Sequence, residues 1–367
     1  MTEVVQAKAL SQTQLIVRRF FKHRLAVIGL VVLGVFYFTA IFAEFFVPLS
    51  PTQRTGHIHA PPQWPRFVDL DGSFSFRPFV YGLDLELDSH TFQRIYRPDP
   101  ERRYDVSFFV RGSAYRLLGL FETDIRLFGV QQDDGFVFLL GTDDLGRDVF
   151  SRVIHASRIS LSIGLVGVFL SLIVGLALGG VSGLKGGIVD DIIQRCIELI
   201  MSIPTLPLWM ALSAAIPAYW SQIERYFAIT VILSIMGWTG VARVVRGKFI
   251  SLRTEEYVLA AYASGVSQAR IIARHLVPAF MSYVIVKLTL SIPGMILGET
   301  ALSFLGLGLR RPAISWGVLL QQAQTISSVL SYPWLLSPGL FVVVVVLAFN
   351  FVGDGLRDAA DPYSHGK

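Results

Sequence analysis

Two stretches of this chain, Leu25 to Ala43 and Ile159 to Leu184, carry no charged residue at all. As helices, each is long enough to cross a bilayer hydrocarbon core about 30 Å thick. Four further apolar runs follow: Leu199 to Ile223, Tyr226 to Ala242, Ala279 to Leu302 and Tyr332 to Val352. Inside lipid every backbone N–H and C=O must find a partner within the protein, which restricts runs of this kind to helices. The expected fold is an all-α polytopic membrane protein with six transmembrane helices. Pro204, Pro207 and Pro217 predict kinks in the third run, and Pro293-Gly294 predicts a bend in the fifth. The five valines Val342 to Val346 would suit a strand, but the run they sit in has the length of a spanning helix.

The polar segments between these runs set the organisation. Residues 1–24 form a basic N-terminal segment whose Arg18, Arg19, Lys22 and Arg24 should stay on the cytoplasmic side of an uncleaved first helix, 25–47. Residues 48–139 are polar, with short alternating stretches at Ser73 to Phe76, Val106 to Val110 and Phe136 to Leu139, and predict a small β-rich external insert. The core with the other five helices is placed at 140–353 and a cytoplasmic tail at 354–367. Arg243, Arg246, Lys248 and Arg253 follow the fourth run and put the next loop inside, so six spans leave both termini cytoplasmic.

The net charge of +5 does not imply a nucleic-acid partner, because the cations gather at the ends of apolar runs rather than in a patch. Cys196 is the only cysteine, so no intrachain disulfide forms, and its place beside an apolar run predicts a buried thiol. His57 and His59 form an H-x-H with no third ligand type nearby, so no metal site is expected. No G-x-x-x-x-G-K-[ST] occurs, which excludes an ATP site of that type, and no polar catalytic cluster suggests an enzyme.

Three stretches carry the functional reading. At 140–152, Gly146 allows a tight turn, while Asp143, Arg147, Asp148 and Arg152, with Arg158 beyond, can pair at the membrane border as a structural elbow. Lys287 and Glu299 are ionisable groups within the fifth run and are candidates for a translocation path or gate. Between the fourth and fifth runs, Glu255 to Pro278 predicts a short amphipathic helix, 255–265, then a turn near Gly265 and a new helix opened by Pro278. Glu256 suits that helix's first turn, and the small residues Ala260, Ala261 and Gly265 make a surface another protein can approach closely.

This last stretch resembles the coupling-helix motif of bacterial binding-protein-dependent ABC importer permeases at Ala260, Ala261, Gly265 and Pro278, with Leu259, His275 and Val277 in place of the motif's Glu, Ile and Leu. Three more motifs are similar to the C-type permeases of dipeptide, oligopeptide and nickel importers. G-T-D-x-x-G-R-D-x-x-S-R falls on Gly141 to Arg152, E-x-x-L-S-F-L-G-L-G on Glu299 to Gly308, and N-x-x-G-D-x-L-R-D-x-x-D-P on Asn350 to Pro362. The chain departs from the family at Arg311 to Gly317, at Ala156 to Arg158 and in its long external insert. The resemblance implies half of a translocation channel for peptides or similar small solutes, with coupling through Glu256, Ala260, Ala261, Gly265 and Pro278. It further implies a second homologous permease, two ATP-binding subunits that carry ATP and Mg, an extracytoplasmic substrate-binding protein, and a place in the bacterial inner membrane among lipid, with no cofactor on this chain. A proton- or ion-coupled secondary transporter is the alternative, although no sequence repeat and no inverted pair of broken helices supports it.

Overall fold

The computed structural model describes residues 12–87, 89, 94–132 and 134–360. The motif's Asp361 and Pro362 and the rest of the tail lie outside the described residues, as do positions 1–11 of the basic N-terminal segment. The chain opens with α1 (Gln12–Phe20), within the segment read as merely polar, followed by α2 (Arg24–Ile41) and the single turn α3 (Ala43–Phe46). His23 caps α2 by accepting the Ala26 amide on Nδ1 at 3.1 Å. The insert then folds as one antiparallel sheet in sequence order, β1 (Arg66–Val68), β2 (Phe74–Leu87), β3 (Arg94–Leu117) and β4 (Phe121–Val130). Its own small core is Val80, Tyr104, Val106 and Val137. Of the three stretches expected as strands, Phe136 to Leu139 pairs with none; it runs beneath the sheet, where Phe138 offers its carbonyl to the Gln63 amide at 2.7 Å.

The helical body comprises α4 (Val149–Lys185), α5 (Gly187–Ser202), α6 (Thr205–Ala214), α7 (Gln222–Leu252), α8 (Glu256–Ala263), α9 (Gln268–Ile271), α10 (Val277–Thr289), α11 (Ile292–Phe304), α12 (Trp316–Leu320), α13 (Ile326–Ser331) and α14 (Ser337–Ala360). Among the described residues, five segments are long and apolar enough to cross a membrane: Arg24–Ile41, Val149–Lys185, Gln222–Leu252, Phe280–Phe304 and Pro333–Ala360. The count reaches six if α5 and α6 together form one span. Those two are bent by 89°, so the third run is a broken pair and not the single kinked helix expected. Ile203 is extended (φ −92°, ψ 130°), the conformation a following proline imposes, and the helix restarts past Pro204.

α4 and α7 lie side by side and run parallel: the Ser234 hydroxyl donates to the Gly167 carbonyl at 3.0 Å near the middle, and Gly183 meets Phe249 toward the far end. The contact is close because α4 presents a row of glycines. A Cβ at Gly179 would stand 2.5 Å from the Ala242 carbonyl oxygen, so only glycine admits this backbone approach. α2 and α14 make a second close pair, with Gly29 of α2 against the Ala348 carbonyl.

Two further interruptions differ from expectation. The fifth run breaks at Leu290 and Ser291, before Pro293, which sits in the first turn of α11, where an amide hydrogen has no helical acceptor anyway. Pro278 stands in the first turn of α10, as expected, but that helix continues without a break from α9 through a π-helical turn, Ile272–Leu276, whose Val277 amide reaches back to the Ile272 carbonyl. Position 278 has no amide to donate, so the α-ladder is interrupted there in any case, and the wider turn absorbs the loss. Cys196, expected buried, is exposed on α5.

Candidate functional site

α8 follows α7 after only Arg253, Thr254 and Glu255, at the end of the helical body opposite the sheet. It is anchored by Val258, fully buried in a cluster with Val241, Val245, Phe249 and Leu276, and by half-buried Ala261 on the same side. The positions one face round, Glu256, Leu259, Ala260 and Ala263, are all exposed. Their i, i+3, i+4, i+7 spacing makes one continuous stripe with an acidic start, one large apolar side chain and two methyl groups. The helix ends in a Schellman turn: the Ser264 amide bonds to Ala260, the Val266 amide returns to the Ala261 carbonyl at 3.2 Å, and Gly265 takes φ +73° with open space around it. Of the expected coupling residues, Glu256, Ala260 and Gly265 are thus outward, Ala261 faces partly inward, and position 278 lies in the following helix. Leu259, which stands where the motif has Glu, and Ala263, on which no motif position falls, belong to the stripe by the helical period.

The 140–152 elbow closes around Asp143, which is 1% exposed. One carboxylate oxygen takes the amides of Leu145 and Arg147 at 2.9 and 3.0 Å; the other takes Arg147 Nε at 2.8 Å and faces Arg152 Nε at 3.4 Å. Burial alone would raise its pKa, but the Arg147 hydrogen bonds and charge outweigh that and hold it below the usual carboxylate value. Gly146, at φ +69°, makes the turn, and its carbonyl accepts from the Thr55 amide and hydroxyl at 3.0 and 2.8 Å. Arg152 reaches the Pro51 carbonyl at 3.0 Å. The start of the insert is therefore stitched to the start of α4.

Asp148 does not pair with a cation among the described residues, contrary to expectation. It caps α4, with Oδ2 accepting the Ser151 amide and hydroxyl at 2.8 and 2.5 Å while Oδ1 is buried without a partner. Burial, only partly offset by these bonds, pushes its pKa up to about 7. Arg158 also leaves the elbow and forks onto Glu44 beyond α2, donating to the Ala40 and Ile41 carbonyls as well. His57 and His59 do not converge on a shared ligand position: His57 Nδ1 lies 3.0 Å from the Thr55 carbonyl, and His59 stacks on Tyr332 at 3.9 Å.

Glu299 lines no open path in this conformation. It is fully buried, and three hydroxyls converge on it: Ser303 and Ser315 at 2.7 Å on one oxygen, Ser160 at 3.3 Å on the other. Each serine also accepts a backbone amide, from Leu309, Val318 and Trp316 respectively. The glycine-rich turn after α11 folds back so that these elements meet, which ties α4, α11 and α12 at one buried carboxyl group. Lys287 is exposed near the end of α10 and is not among the groups bonded to Glu299. A further polar tie joins α5 to α7: Arg246 grips Asp190 with Nε–Oδ1 at 2.6 Å and Nη2–Oδ2 at 2.5 Å. Its members stand at opposite charge near the ends of their runs, a signal visible in the sequence without its pairing.

Residues 171–363 match the family described as binding-protein-dependent transport system inner membrane component, and residues 11–62 match the N-terminal transmembrane domain of oligopeptide transport permease C. Similar curated proteins include the oligopeptide transport system permease OppC of Bacillus subtilis, 39% identical over 60% of this chain and 70% of that one, and the dipeptide permease DppC of the same organism, 40% identical over 60% and 68%. OppC of Haemophilus influenzae is 40% identical over 62% and 71%. Among solved structures, an inward-facing methionine ABC transporter aligns with a TM-score of 0.44 at 17% identity over 57% of this chain and 97% of that one, too weak a likeness to transfer geometry.

Proposed function

Because this chain belongs to the family of binding-protein-dependent transport system inner membrane components, we propose that it forms one half of the solute path of an ABC importer and takes its driving force through the exposed stripe of α8. It is a permease subunit, and its relatives are permeases, not enzymes. The second half-channel is a homologous permease, and two further subunits bind ATP with Mg and hydrolyse it. A binding protein delivers the solute from the side of the sheet. Peptides are the solute class, by the naming of the relatives. The chain lies in the bacterial inner membrane with α8 and both termini on the cytoplasmic side. In support of six crossings, α4 and α7 run parallel, so the chain leaving α4 at Lys185 has to return across the membrane's thickness through α5 and α6 before α7 begins. Asp143, Gly146, Arg147, Asp148 and Arg152 serve as the border elbow that fixes α4.

The observation that carries this reading is the outward row Glu256, Leu259, Ala260 and Ala263 on a short helix anchored by buried Val258. A pair of methyl groups beside one leucine suits insertion into a groove on another protein, the helix-in-groove mode. Ala260 is the position to test, since Gly265 at φ +73° would be strained by any side chain irrespective of a partner. Ala260→Trp should leave the subunit in the membrane with its companion permease but reduce copurifying ATPase subunits and uptake by about tenfold or more, an interface hot-spot effect. Uptake at the wild-type rate would refute the assignment.

A further inference from the structure

The β3–β4 hairpin does not point away from the helices. At its base, Arg126 on β4 is 2% exposed and donates to the carbonyls of Glu44 and Val47 at 3.3 and 3.2 Å, while the Phe109 ring lies 6.3 Å from Phe45. From the Val110–Arg126 pair the two strands run on to Leu117–Phe121, about 20 Å at the usual rise. The tip ends beside the helices: Leu118 and Gly119 border a cavity of about 440 Å³ whose other walls include Tyr37 and Ile41 of α2 and Leu161 and Leu165 of α4. Leu165 stands two turns past Arg158, about 10 Å farther along α4 and inside its uncharged run. The tip therefore stands beside the part of α2 and α4 that exposes apolar side chains such as Phe38 and Leu165.

The tip suits that place. Leu118, Leu120 and Phe121 are 49%, 77% and 66% exposed, where a loop tip in water would carry small or polar residues. Its turn amides are satisfied internally, Gly119 to the Arg116 carbonyl at 3.2 Å and Leu120 to the Leu117 carbonyl at 3.0 Å, as a segment in hydrocarbon requires. Arg116 and Glu122 face each other directly behind it and mark where the polar strands begin, whose open edges could not enter lipid.

We propose that Leu117 to Phe121 is immersed in the membrane leaflet on the sheet's side, and that a phospholipid acyl chain fills the cavity behind it. The occupant is lipid because the cavity opens beside the exposed apolar side chains of α2 and α4 and its wall, besides the Glu44–Arg158 pair, Ser157 and Ser162, is apolar, within the size range of small-molecule pockets. The test uses the assembled importer in phospholipid nanodiscs, with Cys196→Ser removing the exposed native thiol. A spin label at Leu120→Cys should collide with oxygen several-fold more readily than with a water-soluble nickel complex, as should a label at Phe38→Cys in α2, whereas Phe76→Cys on β2 reports water. Nickel access equal to that at Phe76 overturns the proposal, and so does exclusion of both reagents, which would mean that a protein partner covers the tip. A bimane on Leu118→Cys should be quenched about twofold by lipid brominated on its acyl chains, as burial among chains implies; no quenching overturns the cavity assignment.

Discussion

Asp148 shows how far a motif can be legible while its chemistry is not. The G-T-D-x-x-G-R-D spacing suggests two carboxylates and two or more arginines pairing at a turn, and Asp143 does so with Arg147 and Arg152. Asp148 sits at the first cap of α4, where its neighbours in space are helix amides and a serine, and no cation among the described residues reaches it; sequence adjacency says nothing about that direction. With burial pushing its pKa up to about 7 from an ordinary value of 3.8, the folded protein holds a proton that the unfolded chain has released between those two values. Stability contributed by this group therefore falls as pH rises through that window. Asp148→Asn keeps an oxygen for the cap and cannot titrate. The melting temperature of the wild type should decline relative to this variant from about pH 4.5 to about pH 7.5, and parallel curves over that range would contradict the assignment. Glu299 makes the same point from inside the bundle. An ionisable residue in a membrane run signals something other than lipid contact, but the three serines that surround it come from α4, α11 and the turn before α12, and their convergence is a property of the fold.

At the level of elements, the apolar runs read as helices because run length is a one-dimensional quantity, whereas the face of α8 is legible only in part: Glu256 and Ala260 stand on the exposed stripe, but Ala261, expected beside them, turns partly inward. The break at Pro204, the π-helical turn at Ile272–Leu276 and the pairing of α4 with α7 depend on what lies alongside. Gly175, Gly179 and Gly183 are spaced four apart, so a close helix contact is visible in the sequence, yet the partner that fills it is not. Gly179→Ala would drive a methyl group into the Ala242 backbone, which cannot swing aside, whereas the space about Gly240 on α7 is open. We expect Gly179→Ala to destabilise the subunit by about 1–3 kcal/mol and Gly240→Ala to leave its melting temperature unchanged. Equal melting temperatures for the two variants would mean that the seam is looser than the geometry states.

For the molecule as a whole, the sequence reading sets an insert at 48–139 apart from the core, while the family matches cover 11–62 and 171–363 and leave residues 63–170 between them, which are different bounds. What composition and pattern cannot convey is that the insert is sewn to both α3 and α4, or which helices are tied to one another. The glycine seam joins α4 to α7, and the Arg246–Asp190 fork joins α7 to α5 close to the end that carries α8. Arg246→Met should cut that fork without touching the α8 stripe, so the assembled importer should keep hydrolysing ATP while uptake falls about tenfold, as loss of a differential contact between two states would produce. Parallel loss of both activities, or of neither, would count against it. The directness of the link between α7 and α8 sets a mechanical scale. α7 has 31 residues, about 46 Å of rod at 1.5 Å per residue, and α8 hangs from its tip on three residues. Such a rod is a lever with a stiff brace near its handle: swinging it by about 5° at the α8 end would carry the opposite end some 4 Å sideways by the same length. That is roughly the radius of a side chain, so a displacement too small to disturb the packing around α8 is enough to open or shut a gap the width of a peptide backbone at the other face.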